Sequence, residues 1–209
     1  MKEYRRTLII TSLITVSPIL FGLTLWNRMP DVIATHFGGG NVPNGWSSKG
    51  FAVFGLPIFM LIIHLLCCVS TLHDPKRKNI ENRYLRLLMW CAPLISVVCC
   101  VSIYAAAIGK KMDIGMIVDL LVGITFVIFG NYMHKIKQNY TVGIKLPWTL
   151  ASEENWNRTH RLASWFWVLG GMCFIADIFL PIGMWIFVLF IPMAVMPVVY
   201  SFILYRKGI

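Results

Sequence analysis

Long apolar stretches alternate with short polar ones along the whole chain. Six apolar runs stand out, at 7–26, 51–72, 87–108, 114–133, 162–180 and 183–205. A helix needs about 20 predominantly apolar residues to cross a hydrocarbon layer about 30 Å thick, and every run has roughly that length. None shows the two-residue alternation of a barrel strand, and an open strand would leave backbone groups unsatisfied in lipid. The pattern predicts an all-α polytopic membrane protein with six transmembrane helices. Its polar interruptions divide it into an N-terminal two-helix unit over 1–72, with an extracellular loop at 27–50, and a four-helix unit over 73–209, with a cytoplasmic segment at 134–161.

Composition supports the membrane and excludes an ordinary soluble core. Of 209 residues, 57% are hydrophobic and only 13% charged, where a soluble domain carries roughly a quarter charged residues. Lysine and arginine then orient the chain. With the N-terminus inside, the inner segments hold Lys2, Arg5, Arg6, Lys76, Arg77, Lys78, Arg83, Arg86, Lys135, Lys137, Lys145, Arg158, Arg161, Arg206 and Lys207. Only Arg28, Lys49, Lys110 and Lys111 fall outside. This positive-inside bias places both termini in the cytoplasm. The net charge of +10 then reflects attraction to anionic lipid heads of the bilayer and requires no direct nucleic-acid contact. The basic start MKEYRR imitates a signal peptide, but the apolar part is too long and no small-x-small cleavage site precedes Trp26, so it reads as a retained helix.

Reactive side chains are sparse. Cys67, Cys68, Cys91, Cys99, Cys100 and Cys173 all lie within apolar runs, where thiols pack as small hydrophobes. His64 and Cys68 share a helix face at i, i+4, yet two ligands without a carboxylate or further histidine do not make a metal site. His36 is the only histidine of the outer loop. No metal and no cofactor is expected.

Two polar segments carry the remaining information. The outer one, NRMPDVIATHFGGGNVPNGWSSKG, combines Pro30, three consecutive glycines and a Pro-Asn-Gly turn signal. It reads either as a compact loop capping helix ends, with one short strand at 32–37, or as a recognition surface, since loops of this length seldom merely connect. The inner one contains GIKLPWTLASEENWNRTHRL, residues 143–162, a polar, water-facing stretch between apolar runs. Ser152 is placed to cap a helix whose first turn holds Glu153 and Glu154. Glu154 and Arg158 form an i, i+4 pair, and Trp156, His160, Ala163 and Trp167 line one side. A cytoplasmic helix extension explains this pattern, and so does a docking surface. EENWNR also matches E-E-x-x-x-R, a signature of intramembrane glutamic proteases. Those enzymes need F-x-x-x-H and a further histidine on later helices; here no histidine follows His160, and Phe59–His64 and Phe129–His134 are each one residue too long. The chain is not read as an enzyme.

The stretch GNYMHKIKQNYTVGIKLPWTLASEENWNRTHRLASW, residues 130–165, resembles the signature of the SdpI family, bacterial membrane proteins named for immunity to the sporulation-delaying peptide toxin. The outer segment resembles a short domain of unknown function that often precedes it. The shared features are Pro30, Thr35, His36, the glycines at 38–40 and the Gly-Trp-x-Ser-Lys at 45–49. Where relatives often carry Asp before that Gly-Trp, this chain has Asn44. The resemblance implies a cell-membrane immunity protein whose partner is a secreted, membrane-active peptide toxin. It also implies a receptor role in which a cytoplasmic repressor protein is held at the membrane. On that reading the outer-face ligand site comprises Asp31, His36, Trp46, Asp113, Asp119 and Asp177, and the inner docking site Glu153, Glu154, Asn157, Arg158 and His160. The alternative is a small-molecule or ion carrier, because Asp119, Asp177 and His64 lie within apolar runs, where ionisable groups are often functional.

Overall fold

The computed structural model describes residues 2–180 and 185–209. Gly183 and Met184, which open the sixth apolar run, lie outside the described residues. In chain order the elements are α1 (Lys2–Val16), α2 (Pro18–Thr24), β1 (Val32–Phe37), β2 (Pro43–Ser48), α3 (Leu56–Leu72), α4 (Asn82–Ala107), α5 (Ile114–Met133), α6 (Pro147–Ala151), α7 (Glu153–Asp177) and α8 (Trp185–Arg206). They form two compact units, 1–69 with 86–118 and 70–85 with 119–209.

In the first unit, α1 and α2 make one apolar stretch with a break at Ser17, because Pro18 enters at a first-turn position where its missing N–H costs nothing. Thr11, Thr15 and His64 are buried there. The Thr15 hydroxyl donates to the Thr11 carbonyl at 2.7 Å, Ser96 to the Thr15 carbonyl at 2.7 Å, and Thr11 Oγ1 lies 2.9 Å from His64 Nε2. Polar atoms among apolar helices are thus satisfied within the unit. A π-helical turn, Phe51–Gly55, leads into α3. The buried Tyr104 hydroxyl donates to the Ala52 carbonyl of that turn at 3.1 Å. Around it Met29, Ile33, Val53, Cys100 and Ile103 close a core; burying Ile33 there contributes about 1.5–3 kcal/mol.

The outer segment is an antiparallel hairpin, which corrects the all-α reading. β1 pairs with β2 through Val32↔Ser48, Ile33↔Ser47 and Ala34↔Trp46, with irregularities either side of His36. Val32, Ile33 and Thr35 are β-branched and suit a pleated surface. The reversal needs left-handed backbone, supplied by Gly40 (φ 69°) and Asn41 (φ 60°). Sequence reading found the strand at 32–37 but not its partner, since PNGWSS has little strand propensity of its own.

In the second unit, α5 and α7 touch along small residues. A Cβ on Gly123 would lie 2.7 Å from Ile175 Cγ1, and one on Gly130 would lie 2.8 Å from the Val168 nitrogen. The Ser164 hydroxyl donates to the Gly130 carbonyl at 2.7 Å. Phe126 meets Trp167 in a tilted contact with centroids 4.8 Å apart, and Phe174 meets Phe126 edge-on at 5.8 Å.

The count of six spans is also corrected. Among the described residues, four helical stretches are long and apolar enough to cross a membrane: Tyr4–Thr24, Phe51–Leu72, Asn82–Ala107 and Ile114–Met133. The fifth run belongs to α7, whose first three turns are polar, which leaves too little apolar length. In the sixth, the apolar stretch among the described residues is Phe190–Arg206, within a continuous helix that contains Pro192 and Pro197. The molecule is mostly helical, with about four apolar spans and a small hairpin. Placing the C-terminus by a count of six crossings falls with that count.

Candidate functional site

The outer hairpin is held rigid at its base and open at its face. Lys49 Nζ pairs with Asp31 Oδ1 at 3.0 Å, donates to the Met29 carbonyl at 3.3 Å and lies 4.9 Å from the centre of the Trp26 ring. Asp31 itself remains exposed. The His36 Nδ1 lies 2.5 Å from Asn44 Oδ1 across the hairpin, so Asn44 engages the histidine with a neutral acceptor. Gly45 permits this closeness, since a Cβ there would come 2.9 Å from His36 Cβ. Trp46 projects outward, 60% exposed, with Val32 and Val42 also exposed.

Asp113 connects to the hairpin. Its Oδ1 accepts from Asn41 Nδ2 at 2.8 Å and from the Met116 N–H at 2.9 Å, while Asn41 Oδ1 accepts the Gly115 N–H at 2.7 Å. The Met116 N–H first, then the Asn41 amide, hold the Asp113 carboxyl below its usual range. Asp31, His36, Trp46 and Asp113 therefore share the first unit. Asp119 and Asp177 lie in the second, partly buried on α5 and α7 and each engaged by neighbours.

The inner segment is built on buried polar groups that sequence reading did not single out. Asp74 accepts from the Lys76 N–H at 2.7 Å, the Tyr140 N–H at 2.9 Å and the Thr141 hydroxyl at 2.7 Å. Asn139 Oδ1 accepts the Val142 N–H at 2.7 Å, and Gln138 Nε2 donates to the Thr149 and Leu150 carbonyls at 3.0 Å each. Lys76 Nζ donates to Gln138 Oε1. Asn155 Nδ2 donates to the Ser201 carbonyl at 3.0 Å, and Trp148 Nε1 to the Ser201 hydroxyl at 2.9 Å. The one signal available was the density of amides and hydroxyls in an apolar chain.

At the centre sits His160. Its Nδ1 lies 2.8 Å from the Trp156 carbonyl and its Nε2 accepts the Ile144 N–H at 2.9 Å. These partners select the neutral tautomer with the proton on Nδ1. The ring stacks on Trp156 with centroids 4.0 Å apart, and Trp156 Nε1 donates to the Ile136 carbonyl at 2.7 Å. Burial brings the His160 pKa down to about 4, against a smaller upward pull from the Trp156 carbonyl.

One face of α7 is thus buried and the other open. Asn155, Trp156, Thr159 and His160 point inward, whereas Glu153, Glu154, Asn157 and Arg158 are exposed. Ser152 Oγ accepts the Asn155 N–H at 3.2 Å as an N-cap, and Glu154 meets Arg158 at 2.6 Å. Four of the five residues assigned to docking share this open strip. His160 lies beneath it and reaches no partner directly.

Among the described residues, no group of three His, Cys, Asp or Glu side chains is placed to hold a metal. Residues 135–205 match the SdpI/YfhL protein family, and residues 13–61 match a domain of unknown function (DUF1648). The chain is 29% identical over 160 residues to the immunity protein SdpI of Bacillus subtilis (strain 168), covering 75% of this chain and 73% of that protein. No solved structure matches it significantly. The inner network from Ile136 to Ser201, apart from its Asp74 and Lys76 anchors, falls within the first matched segment, and the hairpin falls within the second. The chain thus carries an SdpI/YfhL-type segment behind a DUF1648-like one, within a multi-pass membrane protein.

Proposed function

We propose that this protein protects the bacterium carrying it against a secreted, membrane-active peptide, which its outward-facing hairpin recognises. The observation that carries the reading is the likeness to an immunity protein over 75% of the chain. The hairpin supports the assignment of the face. Trp46, Val32 and Val42 expose apolar surface on a base fixed by Asp31, Lys49, Asn41 and Asp113, and exposed aromatic anchors on a rigid support commonly carry binding energy.

The experiment is survival of a toxin-sensitive strain expressing the chain. The wild type should protect; His36→Ala with Trp46→Ala should abolish protection at unchanged membrane abundance, because neither side chain is part of a core. In the same cells a membrane-impermeant maleimide should label a cysteine placed at Asn41 and spare one placed at Asn157. Full protection by the double variant, or the opposite labelling, would remove the hairpin from the recognition role.

The exposed strip of α7 supports a finer role, docking of a cytoplasmic repressor through Glu153, Glu154, Asn157 and Arg158. Glu153→Lys with Asn157→Ala should then leave survival intact and release a fluorescent-tagged repressor from the membrane. Recruitment that persists in this variant would reduce the strip to a solvated face.

A further inference from the structure

The open face of α7 changes character along its length. Arg158, Arg161, Trp165, Leu169 and Met172 follow one another at steps of three or four residues, so they form a single strip. Its upper end is cationic and its lower end apolar: Trp165 is 67%, Leu169 55% and Met172 57% exposed. At the junction, Arg158, Arg161, Leu162 and Trp165 line an open groove with Tyr200 of α8. Arg158 gives one amino group to Glu154 at 2.6 Å, which leaves further N–H donors on the same guanidinium. Arg161 has no ion pair among the described residues.

We propose that this strip binds one anionic glycerophospholipid, with its phosphate between Arg158 and Arg161 and an acyl chain along Trp165, Leu169 and Met172. Guanidinium groups match phosphate oxygens in planar, paired hydrogen bonds. Tryptophan and tyrosine prefer the level where head group meets hydrocarbon, and here they flank the point where the strip turns from charge to oil. A free phosphate would use only the upper end; the exposed apolar run continuing below it selects a lipid. The Glu154 carboxylate lies on the far side of Arg158 and favours a head group of single negative charge over one more highly charged.

The test uses the full chain purified in neutral detergent, with bound lipid read by native mass spectrometry. Phosphatidylglycerol should be retained in preference to phosphatidylcholine of the same acyl chains. Arg158→Gln with Arg161→Gln should weaken that retention about tenfold or more. Lys135→Gln with Lys137→Gln, which removes the same charge elsewhere in the inner segment, should leave it unchanged. If the arginine pair variant does not fold, Arg161→Gln alone serves, since Arg161 is exposed and has no ion pair among the described residues. Equal retention of the two lipids would overturn the proposal. So would equal loss in the lysine variant, which would mean diffuse charge attraction, or displacement of phosphatidylglycerol by glycerol 3-phosphate at matching concentration, which would mean a phosphate site without a chain track.

Discussion

Replacing Gly143 by alanine is expected to destabilise the second unit by about 2–5 kcal/mol, from positive-φ strain and overpacking together. Gly143 has φ 117°, a conformation alanine adopts only under strain, and an added Cβ would lie 2.4 Å from His160 Nε2 and 3.1 Å from the Trp156 ring. Neither neighbour can yield: the histidine is fixed by backbone partners on both ring nitrogens, and the indole by the Ile136 carbonyl. Thermal unfolding in detergent, followed by tryptophan fluorescence, measures the loss. Two other glycines separate the causes. Gly39→Ala meets open space without positive φ and should be neutral, while Gly40→Ala meets open space at φ 69° and should cost about 1–2 kcal/mol. A Gly143→Ala variant that unfolds within a degree or two of the wild type would show that the loop does not depend on this contact.

That contact also shows where sequence reading ran out. The helices are legible because runs of apolar side chains leave few alternatives in lipid, whereas the break at Pro18 inside the first run is not read from its hydropathy. The fifth run misleads because its apolar length is preceded in the same helix by polar turns. Nine polar or mixed residues open α7 before Leu162. The hairpin announced its first strand through Val32, Ile33 and Thr35, but PNGWSS becomes a strand only when paired. The inner segment was harder. Asn139, Thr149, Asn155, Thr159 and His160 look water-facing in a hydropathy pattern, yet all are buried. Periodicity distinguishes apolar from polar positions; it does not distinguish a solvated amide from one bonded across the fold. Asp74, whose carboxylate anchors Tyr140 and Thr141 from 66 and 67 residues away, has no local signature at all. The exposed side of α7 was legible, because Glu154 and Arg158 meet by helix geometry alone.

Acidification should loosen the same inner segment, and the sign follows from the His160 contacts. The folded protein needs a bare Nε2 to accept the Ile144 N–H; a proton there would set two donors against each other in a site with no water-facing side. In the unfolded chain a histidine titrates near pH 6.5, whereas folding brings His160 down to about 4. Between those values the unfolded state binds more protons, so stability is complete above about pH 6.5 and declines as pH falls toward 4, by up to about 3 kcal/mol. The Asp113 carboxyl does not confuse this window. Its pKa is lowered on folding, so its contribution is present above the ordinary carboxylate range and is lost only below it. A series of unfolding temperatures from pH 8 to pH 4 measures the slope. His160→Gln supplies the comparison: its amide oxygen can accept the Ile144 N–H without titrating, so the variant should start less stable, having lost the stack on Trp156, and then show a flatter profile across the window. If the variant keeps the wild-type slope, the acid sensitivity belongs to other groups and His160 is only a packed ring. If the slope vanishes with His160, one buried imidazole couples the loop at 143–146 to the start of α7, beneath the strip that carries Glu154 and Arg158.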